Sequence, residues 1–460
     1  MGAPERWDAD VVVLGTGAAG MAAVSAAALA GADVVAVDAC DDIGGNAVRS
    51  TGYVVVVGSD GQRAAGLDDD EETFLADARA RVEAAGSSFG VEWDERLAGL
   101  FVRESPRAER FLVSRGVRFR RFVPRPAVNT VDRLAAVEDV AMLADAFRPD
   151  FARPNVATLH RTLADRLVTD GRRVTGVRVH DRDTGAEREI GARSGVVLAT
   201  GGYQANPDLR RRYQPARAAS SPYLGLDTCR GAGHLMGQAV GGDLVNMTAL
   251  PPLVMVSSSL VEDAIAVNSD GVRFHDEAGP TDERVLRLRA QPGGRAWYVV
   301  DGEVAAEKAR LIGGMPSEPV RADTLAGLAD RIGVPSAALQ DTVDGWNTFL
   351  DSGSATDLHG RVVLPPGRRR CARPPFTAVA MVEGVNFPYG GFRTTTDMQV
   401  LDVFGDPVPA LFAAGDCAGG LNACAELGGI HLGGGFALGR VAGLAAATGS
   451  AVRPVAGRTS

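Results

Sequence analysis

The sequence of 460 residues contains neither an uninterrupted apolar run of membrane-spanning length nor closely spaced cysteines. The Ala-rich stretch from Ala18 to Ala32 is shorter than the roughly 18 residues of a membrane-spanning segment. It predicts a buried helix and no membrane span. The five cysteines are an odd number and none stands in CxxC spacing, which argues against a disulfide framework and against a zinc or iron-sulfur site. We therefore expect no metal and a reducing compartment.

Lysine is almost absent, since Lys308 is the single lysine among 48 basic residues, against 57 acidic residues. The net charge is −9, and the densest basic run, Arg368–Arg370, has no interleaved aromatic residues, so we expect no nucleic-acid partner. The segment Met1–Trp7 is short and polar and lacks the pattern of a signal peptide. We therefore expect a cytoplasmic protein.

The order of apolar runs predicts an α/β fold of more than one domain. A strand at Asp10–Leu14, a glycine turn, a helix to about Ala30 and a strand at Asp33–Val37 form the first unit. Surface helices are predicted between about Leu67 and Gly116. The next predicted strands indicate a small antiparallel layer before a further strand; the layer comprises Val156–Leu159, Leu163–Val168, Arg173–Val179 and Glu187–Ile190, and the further strand is Gly195–Leu198.

The texture of the chain changes after Gly241-Gly242 and changes back after a Pro/Gly-rich hinge that begins at Pro365. A strand at Ala410–Ala414 and a helix from about Leu432 to Ala447 then return to the first domain. We interpret this as one domain in two parts, residues 1–245 and 388–460, interrupted by a second domain at residues 246–387.

Glycines at positions 15, 17 and 20 fit the GxGxxG fingerprint of a dinucleotide site. The first permits a tight turn, the second lets backbone approach a pyrophosphate, and the third lets helix and strand pack closely. Asp38 ends the second strand, where its carboxylate could accept hydrogen bonds from a ribose diol.

A second pair of glycines after the fingerprint, together with glycines and a carboxylate near the other chain end, favours the same extended ligand. Gly44-Gly45-Asn46 falls where the chain must pass close to a bulky planar group. Asp416 follows a buried strand, and such an acid can bind the hydroxyls of a ribityl chain. Gly428-Gly429 and Gly433–Gly435 open the last helix, whose free N–H groups would stabilise negative charge on a reduced flavin.

The motifs VVVLGTGAAG, GGNAVRSTG, VVLATGGYQAN, GVRFHDE and LFAAGDCAGGL, with LGGIHLGGGFALGRVAG, span nearly the whole chain. Together they resemble the fumarate reductase and succinate dehydrogenase flavoprotein superfamily, which includes the 3-ketosteroid dehydrogenases. The resemblance implies a Rossmann-like FAD-binding domain interrupted by an α+β capping domain, with substrate held between cap and flavin.

The resemblance also implies which residues lie beside FAD. The candidate cofactor-binding residues are Gly15, Gly17, Ala18, Ala19, Gly20, Asp38, Ala39, Gly44, Gly45, Asn46, Ser50, Thr51, Gly52, Ala199, Thr200, Gly201, Gly202, Gly415, Asp416, Gly429, Leu432 and Gly433. The histidine that attaches flavin covalently elsewhere in the family has no counterpart in GGNAVRSTG, so we expect non-covalent FAD.

Two departures from the family pattern bear on the substrate. Members acting on small dicarboxylates carry His-His in the motif resembling GVNFPYGG and Arg in the motif resembling LNACAELGG, where this chain has Asn386-Phe387 and Glu426. A pocket without those cations cannot pair with two carboxylates. Fumarate and succinate are therefore not the expected substrates.

Four polar residues are the candidate catalytic groups. Tyr389 could donate to a substrate carbonyl, and a packing role is the alternative. Glu426 could act as a general base if burial raises its pKa, or it could form a salt bridge. His431 could hydrogen-bond flavin or substrate, or it could be a core histidine. Arg284, like Arg287, lies close to Thr281, where the family's proton-donating Arg would fall.

The sequence predicts an enzyme that moves a hydride between flavin N5 and a carbon next to a carbonyl, making or reducing a C=C bond in a small organic substrate. An oxidase or carboxylate dehydrogenase of the same fold is one alternative, and a flavin-binding sensor without turnover is another. Only one dinucleotide fingerprint is present, so we expect an external electron donor or acceptor, such as a diffusible acceptor, oxygen or a partner flavoprotein.

Overall fold

The computed structural model describes residues 5–89, 91–125, 128–214, 221–250, 253–256, 258–422 and 429–449. Its strands, in chain order, are β1 Glu5–Leu14, β2 Val34–Val37, β3 Tyr53–Val55, β4 Phe119–Val123, β5 Leu134–Val137, β6 Val156–Leu159, β7 Thr162–Asp170, β8 Arg173–Asp181, β9 Glu187–Leu198, β10 Leu244–Val245, β11 Leu253–Val254, β12 Ile265–Asn268, β13 Ala296–Val300, β14 Val320–Ala322, β15 Phe376–Ala380, β16 Glu383–Gly384, β17 Gly391–Phe392, β18 Gln399–Leu401 and β19 Pro407–Ala413.

The helices are α1 Ala18–Leu29, α2 Asp60–Ala64, α3 Glu71–Phe89, α4 Glu95–Ser114, α5 Ala141–Asp145, α6 Arg148–Phe151, α7 Pro207–Tyr213, α8 Ala232–Ala239, α9 Ser258–Val261, α10 Thr281–Arg289, α11 Gly302–Glu307, α12 Ala309–Gly313, α13 Leu325–Ile332, α14 Ser336–Asp351 and α15 Ile430–Thr448. Short 3-10 turns lie at Ala47–Arg49, Pro292–Gly294, Pro366–Arg368 and Gly415–Cys417.

Two compact units divide the chain. The first comprises residues 1–219, 225–250 and 387–460, and the second comprises residues 220–224 and 251–386. The first unit therefore contains both chain ends. The assignment of an FAD-binding domain to residues 1–245 and 388–460, and of a capping domain to residues 246–387, stays a prediction.

The main sheet of the first unit has the order β18-β19-β9-β1-β2-β6. All neighbours from β19 to β6 are parallel, and β18 is antiparallel to β19. The core strands are apolar on both faces, as expected for a parallel sheet covered by helices. The predicted strand, turn, helix and strand are confirmed as β1, α1 and β2, and the mixed α/β class is confirmed with them.

Two details of the predicted strand layout are wrong. Residues 187–190 and 195–198 form one strand, β9, whose first half pairs antiparallel with β8 while its length runs parallel to β1. The strand β6 does not join the antiparallel layer of β7, β8 and β9 but adds parallel to β2 at the edge of the main sheet. Strand propensity predicts that these segments are extended, whereas pairing depends on distant partners.

Glycines on α15 let it approach α1 closely. A Cβ on Gly439 would lie 2.2 Å from the carbonyl oxygen of Ala19, and one on Gly443 would lie 2.2 Å from that of Ala23. Alanines on α1 keep its side of the contact equally small. The backbones of the first and last helices are thus in direct contact, a spacing that any larger side chain would prevent.

The expectation that no apolar segment is long enough to span a membrane is wrong for α15 by length and composition alone. This helix of 19 residues passes that test, yet 72% of its apolar window is buried inside the protein. Its packing against α1 and α4 is that of a core helix, and Leu432, Phe436 and Leu438 belong to the same hydrophobic cluster as α1.

The second unit is built on an antiparallel sheet of order β12-β13-β15-β14. Alternate residues of its strands face opposite ways, as the strand period requires. Ile265, Trp297 and Val299 pack with residues of α13 and α14, whereas Ala266 and Tyr298 pack with residues of α10 and α11. Helices therefore cover both faces of this sheet.

An ion cluster around Glu277 braces the second unit. Glu277 accepts from Arg273 and from Arg361 at 2.7 Å each, and Arg273 also pairs with Asp357 at 2.7 Å. Burial alone would raise the pKa of Glu277, but the two arginines outweigh burial and hold it below its ordinary value. In the motif GVRFHDE, Arg and Glu are thus paired with each other.

The substitution Gly439→Ala should lower the thermal unfolding midpoint of the protein. Replacing glycine inside a helix normally gains up to about 1 kcal/mol, but this Cβ would press against the Ala19 carbonyl and cost about 1–3 kcal/mol through overpacking. The matched control is Gly345→Ala in α14, where a Cβ meets nothing within 4 Å and the midpoint should stay or rise. Equal midpoints for the two variants would contradict the close contact of α1 and α15.

Candidate active site

The predicted cofactor residues follow the carboxyl ends of four neighbouring parallel strands. The last residues of β1, β2, β9 and β19 lie side by side, with Leu14 paired to both Val37 and Leu198, and Ala413 paired to Leu198. In open α/β sheets, ligands bind at this edge, where the strand order reverses. Here the reversal is at β1, which has β9 on one side and β2 on the other.

The three fingerprint glycines differ in what surrounds them. Gly15 has φ +91° and its Cβ would lie 2.3 Å from the Ala199 carbonyl oxygen, while a Cβ on Gly20 would lie 1.8 Å from the Gly15 carbonyl oxygen. Protein packing therefore requires both. Gly17 has an ordinary φ of −70°, and its Cβ would meet no protein atom within 4 Å.

Open space at Gly17 lies directly before the start of α1. The helix begins at Ala18 with no side-chain cap and no acidic residue in its first turn, so its first N–H groups are left for another acceptor. A helix start of this kind attracts negative charge. An added Cβ at position 17 would meet no atom of the described residues within 4 Å, and the space at this turn therefore fits a bulky anion.

Asp38 holds the glycine turn. Its Oδ2 accepts from the backbone N–H and the hydroxyl of Thr16 at 2.6 and 2.7 Å, and its Oδ1 accepts from the Cys40 N–H at 2.7 Å. The carboxylate is buried. Its contact with a ribose stays a prediction, and the structure adds a bracing role that the position at the end of β2 alone did not indicate.

The loop that contains Gly44 and Gly45 passes beside the glycine turn. The Gly44 N–H donates to the Thr16 carbonyl at 2.8 Å, and a Cβ on Gly45 would lie 3.2 Å from the Cα of Gly17. Asn46 uses its amide internally, since its Nδ2 donates to Cys229 Sγ at 3.2 Å and its Oδ1 accepts from the Leu226 N–H at 3.0 Å.

The loop continues through Ser50, Thr51 and Gly52. The hydroxyl of Ser50 donates to the Ala47 carbonyl at 2.7 Å and accepts from the Gly52 N–H at 3.1 Å. Gly52 has φ +75°, a conformation that favours glycine. These contacts shape the loop from within, and its contacts with FAD stay a prediction.

Two buried thiols line the loop Ala199–Gly202 after β9. Cys417 Sγ lies 3.3 Å from the Thr200 hydroxyl and donates to the Gly201 carbonyl at 3.4 Å. Cys229 Sγ would lie 3.3 Å from a Cβ on Gly201, whose φ is +70°. Burial raises the pKa of Cys417 to about 12, so this thiol packs as a small neutral group.

Asp416 and His431 form a pair beside the end of β19. Asp416 lies in the turn Gly415–Cys417, which comes just after β19, and His431 lies in the first turn of α15. Their Oδ1 and Nδ1 atoms lie 2.9 Å apart, and the side chains are 26% and 20% exposed. On the other side of the ring, Nε2 contacts the Asn422 side-chain amide.

Aromatic rings flank this pair. The ring of Phe387 lies 4.4 Å from that of His431, and the ring of Tyr389 lies 6.4 Å from that of Phe387. Tyr389 is buried, and its backbone N–H donates to the Ala249 carbonyl at 3.0 Å. Two of the predicted catalytic residues, Tyr389 and His431, thus both lie near one apolar ring, that of Phe387.

The start of α15 packs closely on β3. Gly429 precedes the helix with φ +86°, and its carbonyl accepts from the Val55 N–H at 3.2 Å. A Cβ on Gly433 would lie 2.3 Å from the Val55 carbonyl oxygen, so packing alone requires that glycine. Leu432 is buried at 9% exposure. Glu426 and Gly428 lie outside the described residues.

Arg284 belongs to the second unit, in the first turn of α10. It is 3% exposed, and its Nη2 donates to the Gly279 carbonyl at 3.1 Å. Its catalytic role stays a prediction.

A family model described as FAD binding domain matches residues 10–432 of the chain. The chain belongs to this family. The match runs from β1, through the whole second unit, to the first turn of α15. It therefore includes every element of the sheet edge described above.

Curated relatives and a solved structure match this flavoprotein over nearly its whole length. A probable fumarate reductase of Shewanella frigidimarina is 30% identical over 456 residues, covering 94% of this chain and 74% of that protein. Urocanate reductase of Eggerthella lenta is 28% identical over 466 residues, covering 96% and 75%. The crystal structure of 3-ketosteroid-delta4-(5alpha)-dehydrogenase from Rhodococcus jostii RHA1 in complex with 4-androstene-3,17-dione has a TM-score of 0.69 at 28% identity, covering 96% and 97%.

These matches confirm the resemblance to the fumarate reductase flavoproteins. The chain is an FAD-dependent oxidoreductase that acts on CH–CH or C=C groups. The described residues fit FAD, because the open space at Gly17, the uncapped start of α1 and the neighbouring glycine loop together leave room for a pyrophosphate. Gly15, Gly17 and Ala18 would hold that group.

Local sequence patterns in this flavoprotein predicted neither Asn422 as a site residue nor the contact between Phe387 and His431. Asn422 precedes His431 by nine residues, and its side-chain amide contacts Nε2 of His431. No local pattern indicates such a contact. An aromatic residue at the position of the dicarboxylate binders' histidine was the available signal for Phe387.

Alanine at position 17 should separate FAD binding from folding in this flavoprotein. The new methyl group meets no protein atom but enters the space predicted for the pyrophosphate, so FAD binding should weaken by the cost of overpacking, about 1–3 kcal/mol. The FAD-free variant should keep the circular dichroism spectrum of the FAD-free parent. Fluorescence titration with FAD measures the loss.

Gly20→Ala is the contrasting variant, because its Cβ would collide with the Gly15 carbonyl at 1.8 Å and should disturb the fold itself. Unchanged FAD affinity in Gly17→Ala would show that the pyrophosphate does not bind at this turn.

Proposed function

We propose that this flavoprotein transfers a hydride between flavin N5 and one carbon of a C–C bond next to a carbonyl, in an organic substrate that is not a dicarboxylate. The observation that carries the proposal is the cluster of His431, Phe387 and Tyr389. The cluster places an apolar aromatic surface beside a group that can move a proton. A C=C bond next to a carbonyl needs both, because one carbon exchanges a hydride and its neighbour exchanges a proton.

The neutral aromatic surface supports a substrate with few charges. Phe387 stands where members acting on small dicarboxylates carry histidine, and its ring packs on His431 at 4.4 Å. Each missing charge-assisted hydrogen bond to a carboxylate removes roughly 1.5–3 kcal/mol of binding free energy. Relatives named for urocanate and for a ketosteroid support substrates outside the dicarboxylates.

Non-covalent FAD is part of the proposal, because the segment from Gly44 to Gly52 contains no histidine. When bound, FAD supplies the N5 atom that gives or takes the hydride. In the oxidative direction, the substrate loses a hydride from one carbon and a proton from the next, and His431 takes up that proton. In the reductive direction, His431 returns it. Tyr389 hydrogen-bonds the substrate carbonyl and thereby favours the enolate that forms on proton loss.

Glu426 and Arg284 are the further candidates for moving the proton, with Arg284 in the second unit and Glu426 outside the described residues. A second candidate function is a flavin-dependent oxidase or carboxylate dehydrogenase of the same fold, which the loss of family His and Arg disfavours for dicarboxylates. A flavin-binding sensor without turnover is the remaining alternative. Electrons arrive from or leave to an external carrier.

Anaerobic flavin spectra should distinguish these functions. With the reduced enzyme, urocanate or a cyclic enone should reoxidise the flavin much faster than fumarate, because Phe387 and Glu426 offer fumarate no positive charge. 4-Androstene-3,17-dione is tested with both oxidised and reduced enzyme, since it can be dehydrogenated or reduced. Rapid reoxidation by fumarate would contradict the substrate class. A flavin that no enone, ketone or carboxylic acid oxidises or reduces would favour the sensor.

Single replacements should identify the proton carrier among the candidates. His431→Asn, Tyr389→Phe and Glu426→Gln keep size while removing proton transfer, and loss of the true acid or base should lower turnover about 10²- to 10⁴-fold with FAD still bound. The control is His180→Asn, because His180 is a partly exposed histidine of β8 outside the predicted site. If the three variants reduce flavin as fast as the parent, the proton is handled elsewhere, and Arg284 is the next residue to replace.

A further inference from the structure

The contact between Asp416 and His431 determines which ring nitrogen carries the proton. At 2.9 Å, a carboxylate can only accept, so Nδ1 must be the donor and must keep its hydrogen. In the neutral ring, Nε2 is then the nitrogen with the free electron pair. A carboxylate bound to one imidazole nitrogen selects the tautomer in this way and also stabilises the imidazolium that forms on protonation.

The amide of Asn422 contacts Nε2 on the opposite side of the ring. An amide can donate through Nδ2 to a neutral ring or, after turning over, accept through Oδ1 from an imidazolium. Asn422 therefore occupies Nε2 in the structure, and its amide must turn aside before this nitrogen can take a proton from a substrate. The ring of Phe387 packs against the imidazole and limits its rotation.

We propose that Asp416 is a positioning residue, which holds His431 as the Nδ1–H tautomer so that Nε2 is the atom that takes up and returns the proton. This inference rests on the proposed role of His431. In the oxidative direction, one substrate C–H bond gives its proton to Nε2, the C–H bond on the neighbouring carbon gives its hydride to the flavin, and the remaining electron pair forms the C=C bond. Nδ1–H stays in place, and the positive charge forms beside the Asp416 carboxylate.

Other histidines of the described residues lack this arrangement. His180 Nδ1 lies 3.8 Å from Asp165 at the surface, beyond hydrogen-bond distance. Burial lowers the pKa of both His234 and His275 to about 4, so these rings stay neutral near pH 7. His431 combines partial exposure with a bonded carboxylate.

The same carboxylate has a second oxygen. Of the residues that the structure describes, none donates to Asp416 Oδ2, which leaves this atom for the predicted hydroxyl of the ribityl chain. One side chain would then contact both the proton carrier and the cofactor. Replacing the carboxylate should accordingly affect two independent measurements, the tautomer of His431 and the affinity for FAD.

Nitrogen NMR of the FAD-free protein tests the inference without any substrate. With ¹⁵N-labelled histidine, six ring systems are expected, because the chain has six histidines, and the signals missing in His431→Gln are those of His431. At a pH where the ring is neutral, we expect a protonated Nδ1 and an unprotonated Nε2. In Asp416→Asn, whose amide can accept or donate, the Nδ1–H population should fall, and Asp416→Glu should restore part of it.

Asp165→Asn is the matched control, because it removes the carboxylate next to His180 and should leave the His431 signals and FAD affinity unchanged. FAD should bind Asp416→Asn about tenfold or more weakly, as expected for loss of a charge-assisted hydrogen bond. An Nε2–H tautomer in the parent, or no change in Asp416→Asn, would overturn the inference. The parent spectrum decides even if the variant does not fold. A failed substrate screen would contradict the proposed function and leave this NMR result standing.

Discussion

The direct backbone contact of the first and last helices is the constraint on which the site depends. The carbonyls of Ala19 and Ala23 occupy the places where side chains of Gly439 and Gly443 would stand. Because α1 starts at the glycine turn and His431 lies in the first turn of α15, this contact holds the two chain ends at one edge of the sheet. A cofactor touched by both ends needs this spacing before any polar contact can form.

The glycines of the GxGxxG motif have different structural roles, which the surroundings of each glycine distinguish. Gly15 and Gly20 make room for protein backbone, and Gly433 does the same for β3, whereas Gly17 leaves space that no protein atom fills. The sequence predicted the fingerprint but could not say which glycine faces a ligand. That distinction depends on what the turn packs against, and Ala199 is far away along the chain.

Local patterns predicted β1, α1, β2, α15 and the mixed α/β class, because hydrophobic period and turn residues act over a few neighbours. They failed where distant pairing decides, as in the edge position of β6 and the merging of two predicted strands into β9. The predicted site residues show the same division. The sequence predicted which residue types lie at the sheet edge, but it did not predict the hydrogen-bond partner of each side chain.

Asp416 illustrates why partners escape such reasoning. Its place after a buried strand predicts a carboxylate at the cofactor edge, and nothing nearby in sequence indicates that Oδ1 will meet His431, fifteen residues later and in another helix. The contact exists because α15 is drawn against α1, which brings its first turn over the end of β19. Packing by small residues, at a distance from the polar side chains, thus brings Nδ1 of His431 within hydrogen-bond distance of the Asp416 carboxylate.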